Sequence, residues 1–511
     1  MSRDSATAFP LCEADDATFW PWFSSPGFAS WPDKGRTVVV LPLAGLMDWG
    51  LGHPLDAEET VLLDVLRRAS QARRAGLPLL VLPPLRYLFG AEQGCAFGLD
   101  AAAAHAQIAE VVASIAASGF GRIVLLNSSP WNEEICAAAS RDLRIQLGVK
   151  IFRISLSSLG LDFHPGRSPD RRLVQTVVTA ITGRMPATPP DGAEAGHWGG
   201  WGEESAGPLG GSPVEFGQAR RDGAAALHAA GTRLESLLAE IAGGCTSPAA
   251  PGDAGSTMPP PSHASRRLAG MTLDEIRGLP DKDKALVILV TGAIEQHGPH
   301  LPVAVDSLMG QVWLSLALAK LPAGAPCYVA PPITIGKSNE HTGFPGTLMI
   351  SKETLRELLL AAARQVHAWG FRKLAVINTH GGNTAVVVTT LREIRRNPGL
   401  RADLIRTVED LGISRQEAAF GMHAGEVETS WMLAVAPSLV DFSRAVLEYP
   451  ARLEDPGEVR PELAPATFGW TTRDLSASGV LGDATAATRD KGERWLEVRA
   501  SALAKAILAA C

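Results

Sequence analysis

Short apolar runs alternate with amphipathic segments of about 10 to 15 residues, and this alternation restricts the chain to few folds. The runs at 284–292, 327–336 and 371–378 are typical of buried strands. The segments at 307–321 and 355–370 have the apolar spacing of helices. Strands and helices in this order form a mainly parallel sheet covered on both faces. We therefore predict an α/β fold with its functional residues at the carboxyl ends of the strands.

The same order occurs a second time, in the N-terminal half of the chain. The runs at 37–45 and 77–85 repeat the first two strands, and residues 119–132 (GFGRIVLLNSSPWN) overlay 370–383 (GFRKLAVINTHGGN). Internal similarity of this kind indicates a tandem duplication. We predict two three-layer α/β domains, each with a mainly parallel sheet flanked by helices. An unrelated α/β domain in the first position is the alternative.

A segment at 245–266, dominated by Pro, Gly, Ser and Ala, separates the two halves. It has no apolar period, so it cannot bury enough surface to fold alone and is typical of a linker. The predicted organisation is an N-terminal extension at 1–35, a first domain at 36–243, a linker at 244–268 and a second domain at 269–511.

The bulk composition excludes several classes of protein. The 511 residues carry a net charge of −7 with both signs spread along the chain, which argues against a nucleic-acid partner and against a membrane surface. No apolar run approaches the roughly 18 residues that cross a bilayer, and no secretory signal is visible at the start. We therefore expect a cytoplasmic protein. The six cysteines stand singly, so histidines and carboxylates must hold any metal.

The first polar cluster follows the strand at 284–292. It reads GAIEQHGPHLPVAVD and contains Glu295, His297 and Asp306. Carboxylates and imidazoles are the ligands that Zn²⁺ and Mn²⁺ accept. Asp306 has two oxygens and could bridge two ions. The glycines and prolines of this segment predict a fixed loop.

Three more clusters also occupy strand ends or helix starts. They are NTHGGN with His380, GMHAGEVETS with His423, Glu426 and Glu428, and SNEHTGFPGT with Glu340 and His341. A single histidine is more often hydrogen-bonded than metal-bound, but recurrence after successive strands favours a shared site. Two alternatives remain open. Glu340 and His341 either bind a metal or order their loop, and Glu426 is either a ligand or a carboxylate that stabilises a helix start.

Taken in order, these four motifs resemble the creatininase (creatinine amidohydrolase) family, and the resemblance covers residues 269 to 510. It implies an α/β fold with two divalent metal ions per chain, Zn²⁺, Mn²⁺ or Fe²⁺. Family members hydrolyse cyclic amides, formamides, small peptide bonds and, in some branches, ring C–C bonds of oxidised inositols. By motif, the resemblance implies five metal ligands and one residue that transfers protons: Glu295, His297, Asp306 as the bridge, His380 and Glu428, with His423 as the catalytic residue. Glu428, in the E-T-S element, is taken as the fifth ligand, although creatininase itself has a carboxylate two positions after the histidine of its NTHGGN-like motif, where this chain has Gly382.

These assignments predict a metal-dependent hydrolase that activates water to cleave a C–N bond of a small molecule, in an amide, a cyclic amide or a formamide. The alternatives are a C–C hydrolase of a cyclic diketone or dehydro-inosose, and a non-catalytic binding or scaffold protein. A homo-oligomer is expected by analogy with the family. When the two halves are overlaid, Glu295 falls on Asp48, His297 on Gly50, Asp306 on Glu59 and His380 on Ser129. Because both imidazoles are then missing, we predict that the N-terminal half is a degenerate, inactive copy.

Overall fold

The computed structural model describes residues 18–49, 52–72, 77–90, 94–164, 167, 173–184, 215–243, 264–450 and 469–511. Most of the predicted linker at 244–268 lies outside these residues, so its prediction stays a prediction. None of the helices in the described ranges is long and apolar enough to span a membrane.

The N-terminal half contains six helices and six strands among its described residues. In chain order they are α1 (Ser25–Ala29), β1 (Val38–Leu43), β2 (Leu46–Met47), α2 (Ala57–Ala72), β3 (Leu79–Val81), β4 (Cys95–Ala96), α3 (Ala101–Ala117), β5 (Arg122–Asn127), α4 (Glu133–Leu147), β6 (Lys150–Ser155), α5 (Leu173–Thr182) and α6 (Phe216–Ala242).

The described part of the C-terminal half continues with the same alternation. Its elements are α7 (Leu273–Gly278), β7 (Leu286–Thr291), α8 (Val305–Ala319), β8 (Cys327–Val329), α9 (Lys352–Ala368), β9 (Lys373–Asn378), α10 (Thr384–Arg396), β10 (Arg401–Leu404), α11 (Arg415–Phe420), α12 (Glu426–Val435), β11 (Leu447–Glu448), α13 (Thr472–Leu475), β12 (Gly482–Asp483) and α14 (Arg489–Ala510).

Each half contains one four-stranded sheet, and the two sheets have the same order. The first is β3-β1-β5-β6 and the second is β8-β7-β9-β10. All the pairs within them are parallel, which confirms the predicted α/β architecture. β7 has the sequence LVILVT and is buried at all six positions, as expected of a central strand with helices on both faces.

Two sequence predictions about local structure are wrong. The predicted strand at 327–336 pairs only over Cys327–Val329, apart from an isolated bridge at Ile333, because Pro331 and Pro332 cannot donate ladder hydrogen bonds. The predicted helix at 307–321 begins earlier, at Val305, so Asp306 lies in the first turn of α8 and not in the preceding loop. A helix start supports a carboxylate at this position.

The two halves share a hydrophobic core. One continuous cluster of buried side chains includes Trp20, Phe97 and Phe120 from the first half and Leu348 and Phe371 from the second. The partly buried ring of Trp369 packs against this cluster and meets that of Phe97 edge to face, with 5.4 Å between their centroids. The halves therefore pack against each other over a buried apolar surface.

Candidate metal centre

The predicted site residues converge at the carboxyl edge of the second sheet. Glu295 and His297 lie in the loop after β7, Asp306 in the first turn of α8, His380 directly after β9, and Glu428 in the first turn of α12. In parallel sheets this edge is where loops from neighbouring strands meet. The structure thus brings together residues that are 133 positions apart in sequence.

Three overlapping sets of side chains have ligand atoms within 4.8 Å of one another. The sets are Glu295, Asp306 and His380; His297, His423 and Glu428; and Glu295, His341 and His423. All five predicted metal ligands and the predicted catalytic histidine belong to at least one set. Among the described residues, no such set occurs in the N-terminal half.

The first set is organised around the Nδ1 atom of His380. His380 Nε2 lies 3.0 Å from the carbonyl oxygen of Lys337 and donates its proton there. Nδ1 therefore carries a lone pair, and it faces Glu295 Oε2 at 3.1 Å and Asp306 Oδ2 at 3.2 Å. Three lone-pair-bearing atoms at these distances repel one another unless a cation lies between them.

The second set is organised around His297, which is fully buried. His297 Nδ1 donates to the carbonyl oxygen of Glu295 at 3.0 Å, which fixes the tautomer. Nε2 then faces Asp306 Oδ1 and Glu428 Oε2, each at 3.7 Å. Asp306 consequently presents one oxygen to His380 and the other to His297.

Glu428 and Glu426 are separated by the structure, although both lie in the first turn of α12. Glu428 Oε2 accepts the backbone amide of Ala424 at 2.6 Å and faces His297. Glu426 instead contacts Lys491 Nζ at 2.6 Å and belongs to none of the three sets. Of the two open readings, this contact favours a structural role for Glu426.

His423 belongs to both the second and the third set. Its Nε2 donates to the carbonyl oxygen of Gln296 at 2.7 Å, so Nδ1 is free to accept a proton. Nδ1 faces Glu295 Oε1 at 3.8 Å, and the ring stacks on that of His297 with 4.2 Å between the centroids. Burial holds the pKa of His423 well below its ordinary value, and the neighbouring His297 and His341 add to this effect.

His341 was left open by the sequence, and its contacts indicate that it orients Glu295. The Gln296 amide and the Thr472 hydroxyl reach His341 Nδ1 at 3.0 and 2.9 Å. Because both groups can donate, Nδ1 accepts and the proton lies on Nε2. Nε2 in turn contacts Glu295 Oε1 at 3.1 Å.

Glu340 contacts the ring nitrogen of His380 that faces away from the carboxylate pair. Glu340 Oε1 lies 3.2 Å from His380 Nε2, and Oε2 lies 3.6 Å from Lys337 Nζ. A Cβ atom at Gly382 would overlap both Glu340 Oε1 and His380 Nε2. A side chain at position 382 is therefore incompatible with this arrangement, which explains the glycine there.

The donor set fits divalent cations. Glu295 Oε2, His297 Nε2 and Asp306 Oδ2 are buried and have no hydrogen-bond partner among the described residues. Such atoms are costly unless a charge satisfies them. In the metal-free protein protons satisfy part of this demand. Burial opposes the charge on His297, but Asp306 and Glu428 outweigh it and raise the pKa of His297 to about 9. Burial raises the pKa of Glu428 to about 7.

The N-terminal half has different residues at the equivalent positions. The amide of Met47 donates to the carbonyl of Leu55 at 2.9 Å, as the amide of Glu295 does to Val303. This shared hydrogen bond makes Met47 the positional equivalent of Glu295, and Trp49 that of His297. The overlay that paired Glu295 with Asp48 is therefore wrong by one residue, and Gly50 lies outside the described residues.

The same one-residue error affects the bridging carboxylate. Glu58 is the second residue of α2, as Asp306 is of α8, and its Oε2 lies 3.2 Å from Ser128 Oγ. Glu59, the predicted equivalent of Asp306, instead pairs with Arg86 Nε at 2.8 Å. Ser129 follows β5 as His380 follows β9, which agrees with its predicted pairing.

A parallel α/β fold with histidines and carboxylates gathered at its carboxyl edge is characteristic of metal-dependent hydrolases. The family model described as creatininase, creatinine amidohydrolase, matches residues 269–507. The chain belongs to the creatininase family, and its C-terminal half carries the match.

Three characterised relatives show the range of the family. A mycofactocin precursor peptide peptidase of Mycobacterium ulcerans (strain Agy99) is 34% identical over 214 residues, which is 41% of this chain and 78% of the relative. A creatinine amidohydrolase of Pseudomonas putida is 32% identical over 243 residues, which is 43% of this chain and 88% of the relative. A 3-dehydro-scyllo-inosose hydrolase of Thermotoga maritima is 28% identical over 257 residues, which is 46% of this chain and 81% of the relative.

Proposed function

We propose that the C-terminal half is a dinuclear metal amidohydrolase that cleaves a C–N bond of a small substrate. The observation that carries the proposal is the position of Asp306. Its two oxygens face the free nitrogens of two different histidines, His380 and His297. A carboxylate placed between two imidazoles in this way fits a bridge between two ions, with Glu295 completing one side and Glu428 the other.

The charge of the site supports two ions in preference to one. Glu295 and Asp306, which are buried, and Glu428, which is largely shielded, bring three negative charges into a region where unpaired charge is strongly unfavourable. One divalent ion would leave this set with a net negative charge. Two ions balance these three carboxylates together with that of Glu340, which contacts His380, and each ion would favour the negative charge that develops on a substrate oxygen.

Two bound divalent ions would supply an activated water and polarise the substrate carbonyl. The residues of the chain supply orientation and proton transfer. The carbonyl of Gln296 holds the His423 tautomer, so Nδ1 can accept a proton from the attacking water and return it to the leaving nitrogen. His341 holds the carboxylate of Glu295 in place by donating to its Oε1.

The relatives support amide C–N bonds as the target. One relative is named for a peptide and one for creatinine, a cyclic amide, so we extend the proposal from cyclic amides to short peptides. The inosose hydrolase relative favours a second candidate, hydrolysis of a ring C–C bond. The two candidates differ by product, since only the first releases an amine or ammonia.

The test uses metal-free protein reconstituted with Zn²⁺ or Mn²⁺ and a panel of lactams, hydantoins, formamides, short peptides and inososes. We expect about two ions per chain by elemental analysis and release of amine from at least one amide. Asp306→Asn should lower the bound metal and abolish turnover, because the bridge loses its charge. Glu58→Gln, the matched change in the other half, should alter neither.

Two results would contradict the proposal. One is wild-type protein that binds no divalent ion and gains no thermal stability from Zn²⁺ or Mn²⁺. The other is full activity in Asp306→Asn. A carboxylate product without released nitrogen would favour the C–C candidate. The predicted homo-oligomer is part of the proposal and is checked by light scattering of the same preparation.

A further inference from the structure

We infer that the N-terminal half acts as a built-in partner that holds the Glu295 loop of the catalytic half in position. The inference rests on the proposed function, since it assigns a positioning role toward the proposed site. It explains why a half without a metal-ligand set among its described residues remains packed against the half that has one.

The shortest route from the N-terminal half to the site consists of two hydrogen bonds. The carbonyl of Phe23, in the segment before β1, accepts the amide of Val303 at 2.9 Å. The carbonyl of Val303 accepts the amide of Glu295, also at 2.9 Å. Val303 lies in the loop that connects His297 to Asp306, so Phe23 fixes the backbone on which three of the proposed ligands are carried.

A second route begins at Gly346, in the loop after Glu340 and His341. Ser118 Oγ accepts the amide of Gly346 at 2.9 Å, and the indole nitrogen of Trp20 donates to its carbonyl at 2.9 Å. Gly346 has a φ of +90°, and a Cβ atom there would overlap the ring of Phe28. Three side chains of the N-terminal half thus enclose this one residue.

The residues that follow Gly346 pass the constraint to both neighbours of Glu295. Thr347 Oγ1 accepts the amide of Gln296 at 3.1 Å. The amide of Leu348 donates to the carbonyl of Ile294 at 2.8 Å. Farther along, Ser114 Oγ accepts the amide of Met349 at 3.1 Å. Helix α3 therefore holds the strand-like segment that borders the Glu295 loop.

The contacts between the halves are reciprocal, as in an isologous dimer. The amide of Leu55 donates to the carbonyl of Met271 at 3.1 Å. Leu55 lies 248 positions before Val303, and Met271 lies 248 positions after Phe23, so this hydrogen bond is the counterpart of the one between Val303 and Phe23. Each half therefore supports the equivalent loop of the other half. The N-terminal half has kept this contact surface while Met47 and Trp49 occupy the positions of two ligands.

A second reciprocal pair supplies a matched control. The amide of Phe97 donates to Gln365 Oε1 at 3.1 Å, in the same way that the amide of Met349 donates to Ser114. Removal of either acceptor leaves one backbone amide of the interface without its partner. Loss of the Ser114 acceptor affects the loop of the proposed site, whereas loss of the Gln365 acceptor affects the equivalent loop of the other half.

The experiment compares the double variant Ser114→Ala/Ser118→Ala with Gln365→Ala and the wild type, each as the full chain. Hydrogen exchange of metal-free protein reports on residues 294–303 without any need for a metal or substrate. We expect exchange there to be about tenfold faster in the double variant, because the amides of Gly346 and Met349 lose their acceptors and the segment that borders this loop opens more readily. We expect no change at 294–303 in Gln365→Ala.

Metal affinity and kinetics are measured on the same three proteins. Affinity for Zn²⁺ should fall about tenfold in the double variant, within the range known for groups that support metal ligands. The loss should appear in kcat more than in KM. Unchanged exchange at 294–303 in the double variant would overturn the inference, as would equal effects in Gln365→Ala. Failure of the wild type to bind a divalent ion would overturn the proposed function instead, and the exchange data would still decide the positioning role.

Discussion

Replacement of Glu58 by Gln tests whether the buried carboxyl group at the position of Asp306 in the N-terminal half is neutral in the folded protein. Glu58 is buried with 1% of its surface exposed, and it occupies the position of Asp306. Burial raises its pKa to about 7 from the ordinary value of 4.5, although Ser128, Ser129 and Trp49 donate hydrogen bonds that act in the opposite direction. The carboxyl group is therefore largely protonated below neutral pH.

The sign and size of the effect follow from this difference. Between pH 4.5 and 7 the unfolded chain releases the Glu58 proton while the folded chain keeps it, so the free energy of unfolding decreases as the pH rises. Over this interval each pH unit lowers the free energy of unfolding by about 1.4 kcal/mol. The total decrease is about 3 kcal/mol and is complete above pH 7. Gln cannot ionise, so Glu58→Gln should be about 3 kcal/mol more stable than the wild type at pH 8 and nearly equal to it at pH 4.5.

The assay is urea unfolding followed by tryptophan fluorescence, in the presence of a chelator, at pH 4.5, 6 and 8. All other titrating groups are common to both proteins, so their effects cancel in the difference between the two free energies. A difference that does not grow with pH would refute the assignment of a neutral, buried Glu58. A variant less stable than the wild type at pH 8 would refute it as well.

Two further predictions concern carboxylates that support the site. Glu340→Gln should weaken Zn²⁺ binding about 10- to 100-fold, because Glu340 contacts the far nitrogen of His380; titration against a competing chelator measures this, and an unchanged affinity would contradict the role. Glu417 accepts the backbone amides of Glu426 and Asp483 and the hydroxyl of Tyr449, each at 2.8 to 2.9 Å. Glu417→Ala should therefore cost about 2 to 4 kcal/mol of stability by calorimetry, and a loss below about 0.5 kcal/mol would show that water replaces the carboxylate.

The fold of the C-terminal half, and the convergence of the proposed ligands at one edge of its sheet, could be predicted from the sequence for physical reasons. β7 is a continuous apolar run, and each ligand motif directly follows a strand or begins a helix, so local pattern and position in the sheet agree. The roles of Glu340 and His341 were not accessible, because they depend on tertiary contacts. Neither the contact of Glu340 with His380 nor that of His341 with Thr472 is visible in the spacing of the motif.

The overlay of the halves failed by one residue for a related reason. It pairs acidic residues with acidic residues, Glu295 with Asp48 and Asp306 with Glu59. Two adjacent acids, Glu58 and Glu59, stand where the other half has Asp306 and Ser307. Only the contacts distinguish them. The carboxylate of Glu59 pairs with Arg86, which lies in the loop after β3. The carboxylate of Glu58 instead contacts Ser128 at the end of β5. A charge pattern cannot decide between neighbouring acids whose side chains leave a helix in different directions.

The difference between the halves comes from how each one neutralises a carboxylate at the same backbone position. Around Asp306, the imidazoles of His297 and His380 and the carboxylates of Glu295 and Glu428 create a demand for positive charge. Protons satisfy this demand only in part, and the raised pKa of His297 reflects it. Around Glu58, Met47 and Trp49 contribute no charge, and Ser129 contributes only a hydroxyl. Protonation of Glu58 alone then leaves a neutral site. Trp49→His would therefore not restore metal binding by itself, because Met47 and Ser129 would still stand at the positions of Glu295 and His380.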